Sequence, residues 1–123
     1  AIVGSGDNLL IPGLAVGTGA PRTVLVRAVG PGLSAFGVSG ALPDPAIELY
    51  LGNIRIAANT RWNTAPNAAA IRSAASQVGA FALAEGSADS ALLATLGPGG
   101  HTIQVRGAAG SSGVALVEIY EVP

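Results

Sequence analysis

The stretch SALLATLGPGGHTIQVRG, residues 90–107, contains two runs of β-prone residues separated by a turn sequence. Residues 90–96 and 102–107 are rich in Leu, Val, Ile and Thr, and most of these side chains favour extended backbone. The intervening GPGG, residues 97–100, combines a proline that fixes φ with glycines that tolerate positive φ. The pattern predicts a β-hairpin with one strand on each side of the turn.

The same rhythm extends along the chain, because glycine and proline recur roughly every eight to twelve residues, as in sandwiches and barrels. Pro12 lies inside the first β-prone run, which favours an edge strand or a bulge there. The predicted strands are residues 9–16, 23–29, 46–51, 54–58, 80–84, 90–96, 102–107 and 114–122. We predict an all-β antiparallel sandwich of about eight strands, formed by residues 1–123 as a single domain.

Residues 66–78 interrupt the β pattern and predict one short helix. The apolar residues that recur there at helical spacing are Ala68, Ile71, Ala75 and Val78. Thr64 can cap the start, Pro66 suits the first turn, and Gly79 suits the end. We expect this helix to pack over one end of the sheets, and an ordered loop is the alternative.

The composition excludes several classes of partner and site. Charged residues make up only 11% of the 123 residues, against roughly 25% in typical soluble domains. The net charge of −1 provides no field for attracting nucleic acid or an anionic membrane. No apolar run is long enough for a membrane helix, so we expect no membrane insertion. The chain has no cysteine, which excludes disulfides and thiolate metal sites.

Several predicted strands are apolar on both faces, whereas a sandwich strand normally alternates apolar and polar residues. One explanation is that the helix and a long loop cover the second face. The other is that this face is buried against a second protein copy, since exposed apolar patches usually mark interaction surfaces. The low charge and the absence of lysine also remove common protection of strand edges. The expected assembly residues are Leu9, Leu10, Ile11, Val117 and Ile119.

No constellation of catalytic residues is recognisable, and we expect the protein not to be an enzyme. His101 is the only histidine, and no Gly-x-Ser-x-Gly nucleophile motif is present. Calcium is the one cofactor with any support, from Asp7-Asn8, Asp44 and Asp89. No Asp-x-Asp-x-Asp loop accompanies them, so we interpret Asp7 and Asp44 as turn-capping residues and expect no cofactor.

Charged residues inside apolar strands predict a structural ion pair. A charge buried there must be paired, because its desolvation costs several kcal/mol. We expect Arg27 to pair with Glu118 or Glu48, and the alternative is that these groups all face water. Arg106 is a further charged residue in such a strand.

Aromatic residues suggest one candidate binding surface. Trp62, Tyr50 and Tyr120 could form a platform on which a sugar stacks, with Arg61 beside Trp62 in the polar loop NTRWN. The alternative interpretation is that Trp62 fills the core under the helix.

The chain resembles a repeated domain of large secreted proteins from Verrucomicrobia, Planctomycetes and similar bacteria. Its second half is also similar to bacterial pre-peptidase C-terminal domains. The matching stretches are VGSGDNLLI (3–11), LVRAVGPGL (25–33), FGVSGALPDP (36–45), ELY (48–50), IAANTRW (56–62) and GVALVEIY (113–120). The resemblance implies a non-catalytic, extracellular or cell-surface, jelly-roll-like sandwich, in some members calcium-binding. Arg61 stands near where relatives carry an Asp after the Asn, which weakens the calcium proposal.

The resemblance also implies one more strand before Ala1, whose absence would leave an open edge that a second copy could fill. We therefore expect a structural module that forms a homo-oligomer or polymer through strand edges or apolar sheet faces, as in a filament or surface layer. The alternative is an accessory carbohydrate- or protein-binding module of a larger secreted enzyme or adhesin.

Overall fold

A computed structural model describes residues 2–3, as backbone only, and residues 13–123. In this part of the chain the strands are β1 (Ile2–Val3), β2 (Gly13–Val16), β3 (Arg22–Val29), β4 (Pro45–Leu51), β5 (Ile54–Thr60), β6 (Ser90–Leu96), β7 (Gly99–Gly107), β8 (Gly113–Val114) and β9 (Leu116–Val122). The α-helix α1 spans Ala68–Gln77.

The strands form two main antiparallel sheets. One sheet has four strands in the order β2-β7-β4-β5, and the other has three in the order β6-β3-β9. The short strands β1 and β8 pair separately. The predicted all-β antiparallel sandwich is therefore confirmed.

The core between the sheets consists of the residues that face inward from both. Along β3, alternate residues point into this space, as expected for a pleated strand. The buried residues of the core between the sheets are Val24, Val26, Ala28, Leu42, Ile47, Leu49, Leu92, Leu96, Ile103, Val105 and Ala115. These buried residues are all aliphatic, and none of them is Phe, Tyr or Trp.

A second core lies on the outer face of the three-stranded sheet, where α1 packs. Its buried residues are Leu25, Trp62, Ile71, Ala74, Ala75 and Ala91. The three-stranded sheet is thus covered on both faces within one chain. This layering explains why β3 and β6 are apolar on both faces, and the explanation in which the helix covers the second face is correct for these strands.

The prediction of a hairpin at residues 97–100 is wrong. β6 pairs with β3 in one sheet, whereas β7 pairs with β2 and β4 in the other. The GPGG sequence therefore forms a corner at which the chain crosses between sheets. Alternation and turn composition specify strands and a reversal, but they do not specify which strands pair. By contrast, Leu51-Gly52-Asn53 joins β4 and β5 in a true hairpin.

The predicted strand at residues 80–84 is also absent, because this segment is irregular. Its backbone carbonyls accept hydrogen bonds from side chains instead of from a neighbouring strand. Arg27 Nη1 donates to the Phe81 carbonyl over 2.7 Å, and Trp62 Nε1 donates to the Ala84 carbonyl over 3.1 Å. The segment lies beside α1 over the three-stranded sheet.

The predicted helix is confirmed with slightly shorter bounds. Ile71 and Ala75 are buried as predicted, and Ala74 joins them. The cap at the N-terminus differs, since Asn67 occupies that position and the Thr64 hydroxyl donates to the Arg61 carbonyl. Gly79 follows the helix with a φ of +76°, a conformation that glycine adopts without strain.

The two sides of the sandwich differ. On one side β5 lies against β6, and the Ala91 amide of β6 donates to Asn59 Oδ1 of β5 over 3.0 Å. The Trp62 amide, just after β5, donates to the Asp89 carbonyl just before β6. On the other side the edge strands are β2 and β9, and a groove separates them. In the described part of the chain, the sandwich is therefore closed at β5/β6 and open at β2/β9.

Candidate functional site

Within residues 13–123, strand β9 pairs with another strand along one edge only, and we call its other edge the free edge. Its paired edge follows β3 in continuous register from Thr23↔Val122 to Val29↔Leu116. No strand among the described residues pairs with its other edge. Every second backbone N–H and C=O group of an edge strand points away from its neighbour, so β9 offers a template for a further strand.

A groove lined by both apolar and charged side chains runs beside this free edge, with a volume of about 380 Å³. Its walls come from β2, from the start of β3 and from the second half of β9. The residues that line it are Leu14, Ala15, Val16, Gly17, Arg22, Val24, Ile119 and Glu121. Leu14 and Val16 also pack against the core between the sheets. The groove is thus a place where the main core reaches the surface.

Apolar side chains of β9 are exposed along the free edge. Leu116 is 39% exposed and Ile119 is 37% exposed. Ile119 and Val117 lie on the inward face, opposite Val26 and Ala28 of β3. The structure therefore places the predicted assembly residues Val117 and Ile119 at the open edge. The other three, Leu9, Leu10 and Ile11, lie outside the described residues.

The two acidic side chains of β9 are both paired within the chain. Glu121 forms an ion pair with Arg22 at the end of the groove, with 2.5 Å between its Oε1 and Nη1, and both side chains are well exposed. Glu118 is paired with the buried Arg27. Neither carboxylate presents an unbalanced charge to an approaching strand.

The predicted ion pair between Arg27 and Glu118 is confirmed, and the two residues are directly opposite in the β3–β9 ladder. Arg27 Nε lies 3.1 Å from Glu118 Oε1, and the Arg27 side chain is fully buried. Its guanidinium also lies 4.5 Å from the centroid of the Phe81 ring, and the face of this ring attracts the positive charge. The pair faces the helix layer and fixes β9 to β3.

Tyr120 completes this network, because its hydroxyl donates to Glu118 Oε2 over 2.6 Å. That hydrogen bond is the main reason why the pKa of Tyr120 lies above its ordinary value, and burial of the phenol adds to it. Sequence reasoning identified Arg27 and Glu118 but not this third member. The i, i+2 spacing of Glu118 and Tyr120, on one face of a strand, could have indicated it.

Glu48 lies on the opposite sheet and does not pair with Arg27. Its carboxylate contacts Arg55 Nη1 and Arg106 Nη2, each over 3.1 Å, and accepts from the Tyr50 hydroxyl. These groups lie on the solvent side of the four-stranded sheet. The pleat explains the result, since Ile47 and Leu49 on either side of Glu48 point into the core.

The proposed sugar platform is wrong. Trp62 is only 2% exposed and packs beneath α1, so the alternative interpretation as a core residue is correct. Tyr50 and Tyr120 lie on strands of different sheets. Arg61 is exposed and has a φ of +57°, but it has no aromatic platform beside it.

A small cavity of about 270 Å³ lies between α1 and the irregular segment. Its lining is mainly Ala, Ile, Leu and Trp62, with Arg27 at one wall. Arg72 and Glu85 form a bidentate ion pair beside it, and the Arg72 guanidinium lies 5.3 Å from the Trp62 ring centroid. Arg27 Nη2 is shielded from solvent and has no hydrogen-bond acceptor in the described part of the chain.

Asp89 has a structural role that the sequence did not reveal. It is fully buried, and its Oδ1 accepts from the amides of Gly30 and Gly32 over 2.8 and 3.1 Å. Its Oδ2 accepts from the Ser87 hydroxyl. The carboxylate thus organises the GPG turn after β3, and its lone pairs are not directed to an open site.

The remaining titratable residues do not converge. His101 is 2% exposed in β7, with Nδ1 3.2 Å from the Gly99 carbonyl. Within residues 13–123, no three His, Asp or Glu side chains cluster closely enough to hold a metal ion. Of the other calcium candidates, Asp44 has a buried Oδ1 without a hydrogen-bond partner among the described residues, and Asp7 and Asn8 lie outside them. Across the described ranges, no helix has the length and apolarity needed to cross a membrane.

Neither a family model, nor a curated protein, nor a solved structure matches this chain. The function must therefore be argued from the site itself. Among the features of the described residues, the free edge of β9 and its groove are the arrangement best suited to contact another molecule.

Proposed function

We propose that this chain is a non-catalytic structural module of a secreted or cell-surface protein, and that it associates with copies of itself through the free edge of β9. The observation that carries the proposal is a seven-residue strand, Leu116–Val122, with one edge unpaired in the described structure and a groove of mixed apolar and charged lining beside it. The extracellular part of the proposal is supported only by the sequence resemblance.

The free edge lacks the features with which proteins usually prevent strand addition. Natural edge strands carry lysine, proline or a bulge. The chain has no lysine, β9 contains no proline, and its register with β3 is continuous. Both β9 carboxylates are paired with arginines of the same chain, but Glu121 points inward beside the groove and its ion pair with Arg22 is well exposed, so charge protects the edge only weakly.

The edge strand β5, on the other side of the four-stranded sheet, is different. Its register with β4 shifts between Leu49 and Tyr50, so the strand is irregular. Such a bulge locally disrupts pairing and twists an edge away from a partner. β5 also exposes apolar side chains, with Ile54 67% exposed. Both β5 and β9 therefore expose an isoleucine, but β9 keeps a regular register with its neighbouring strand and β5 does not.

Analytical ultracentrifugation from micromolar to millimolar concentration tests the proposal. We expect the mass to rise above 12.0 kDa with concentration. Ile119→Arg should keep the chain monomeric, because it places an unpaired charge at the free edge. The matched control is Ile54→Arg, which changes a more exposed isoleucine on the closed side and should associate like the parent. A parent that stays monomeric throughout, or equal loss of association in both variants, would refute the proposal.

A further inference from the structure

We infer that two copies pair β9 to β9 in antiparallel orientation, with a two-fold axis at Ile119. This inference rests on the proposed function and specifies its partner and its register. The three-stranded sheets of the two copies then form one continuous six-stranded sheet. The argument depends on the length of β9, on the position of its carboxylates and on the place of β2.

Length favours the axis at Ile119, since this residue is the midpoint of Leu116–Val122. In an antiparallel pair, directly opposite residues point to the same face of the sheet. A two-fold axis therefore lies midway between one residue of the strand and the same residue of the second copy. With the axis at Ile119, every residue of β9 has a partner. With the axis at Tyr120, Leu116 and Val117 of each copy are left unpaired.

Charge excludes the neighbouring register in the other direction. An axis at Glu118 places the Glu118 side chains of the two copies directly opposite each other, and like charges in that position are destabilising. With the axis at Ile119, Glu118 lies opposite Tyr120 of the second copy. Glu121 then lies opposite Val117 of the second copy, so no two acids face each other.

The position of β2 leaves room for this arrangement. The β9 residues that line the groove with β2 are Ile119 and Glu121, in the second half of the strand. The antiparallel partner presents its own second half opposite the first half of this copy. The β2 strands of the two copies therefore lie over opposite halves of the paired edges. The two Ile119 side chains meet between them, where each is 37% exposed in the single chain.

Disulfide trapping tests the register, and the cysteine-free sequence makes it unambiguous because each introduced thiol is the only one. The variants are Ile119→Cys, Tyr120→Cys, and a mixture of Val117→Cys with Glu121→Cys. Ile54→Cys on the closed side is the matched control. Directly opposite strand residues have Cα separations that suit a disulfide. Oxidation is followed at micromolar concentration by non-reducing electrophoresis.

We expect Ile119→Cys to form a symmetric dimer roughly 100-fold faster than Ile54→Cys, since pairing raises the effective thiol concentration from micromolar to the millimolar range. The mixture should yield the crossed 117–121 disulfide in preference to either symmetric product. Association of the parent together with rapid symmetric linkage of Tyr120→Cys, or with no preference for Ile119→Cys, would overturn the register and leave self-association standing. A parent that is monomeric by ultracentrifugation would overturn both.

Discussion

Ile119 lies directly opposite Val26 in the β3–β9 ladder, yet Val26 is fully buried while Ile119 is 37% exposed. Both side chains point into the space between the two sheets. The difference arises because Val26 has a strand on each side, β6 and β9, whereas Ile119 has β3 on one side and the groove on the other. The apolar core therefore continues to the surface at Ile119.

Removing one partner of the buried ion pair should strongly destabilise the fold. Arg27→Met leaves Glu118 without its counter-charge in a largely buried position, and Glu118→Gln leaves a fully buried guanidinium uncompensated. Each should lower the free energy of unfolding by about 3–5 kcal/mol. Urea unfolding of the two single variants and the parent measures this directly.

The double variant Arg27→Met/Glu118→Gln is the control for this interpretation. Because no uncompensated charge remains, it should be clearly more stable than the sum of the single losses implies. Strict additivity of the three measurements would show that the two groups do not interact.

The stability of the fold should fall with pH above about 10, where an ordinary tyrosine ionises. The hydrogen bond from Tyr120 to the Glu118 carboxylate raises the pKa of the folded phenol above that of the unfolded chain. In the window between the two pKa values the folded state holds more protons, so unfolding becomes easier as pH rises. This contribution is complete below about pH 10 and is lost as pH rises through the folded pKa.

A carbon-13 titration of the Tyr120 ring measures the pKa, and Glu118→Gln should lower it because the carboxylate acceptor is gone. Tyr120→Phe should weaken the dependence of unfolding on pH in the same alkaline window. An unchanged Tyr120 pKa in Glu118→Gln would contradict the assigned cause.

Truncating the only tryptophan should remove much of the support for α1. Trp62→Ala deletes a buried indole and its hydrogen bond to the Ala84 carbonyl, and should cost about 3–5 kcal/mol. Phe36 is a large aromatic residue that is 61% exposed, so Phe36→Ala should cost no more than about 1 kcal/mol. Thermal unfolding of both variants makes the comparison, and similar losses would show that Trp62 is not a core residue.

Loss of the Asp89 carboxylate should open the turn after β3. In Asp89→Ala the buried amides of Gly30 and Gly32 lose their acceptor, and the free energy of unfolding should fall by about 2–4 kcal/mol. Asp89→Asn keeps one oxygen as acceptor and should be affected less. Hydrogen exchange at the Gly30 and Gly32 amides is the specific readout, and unchanged protection in Asp89→Ala would contradict the assigned role.

Local sequence patterns predicted most elements but not their pairing. Runs of β-prone residues between glycines and prolines located β3, β6 and β9, and the spacing of Ile71 and Ala75 located the helix. The GPGG corner was mistaken for a hairpin because turn residues specify a change of direction and not the partner of the next strand. That choice depends on contacts between residues distant in the chain, such as Ala15 with Gly100.

The candidate site could be predicted only in part, because local sequence patterns do not specify contacts between distant residues. The charge in the middle of an apolar strand was enough to predict an ion pair for Arg27, but it left Glu118 and Glu48 as alternative partners. Asp89 gave no such indication, because its partners are backbone amides about 60 residues away, which no side-chain pattern encodes. Val117 and Ile119 were expected in an assembly surface, but only the three-dimensional order of the strands places them at a free edge.

Pairing through the free edge of β9 limits how many chains can join. A contact in which the same edge is used by both partners consumes that edge completely. Its product saturates at two chains, so higher concentration increases the fraction of pairs but does not lengthen them. Growth into a filament or layer would need a different, head-to-tail contact elsewhere on the surface. In the proposed pairing each module therefore joins one other module, and β9 supports no further growth.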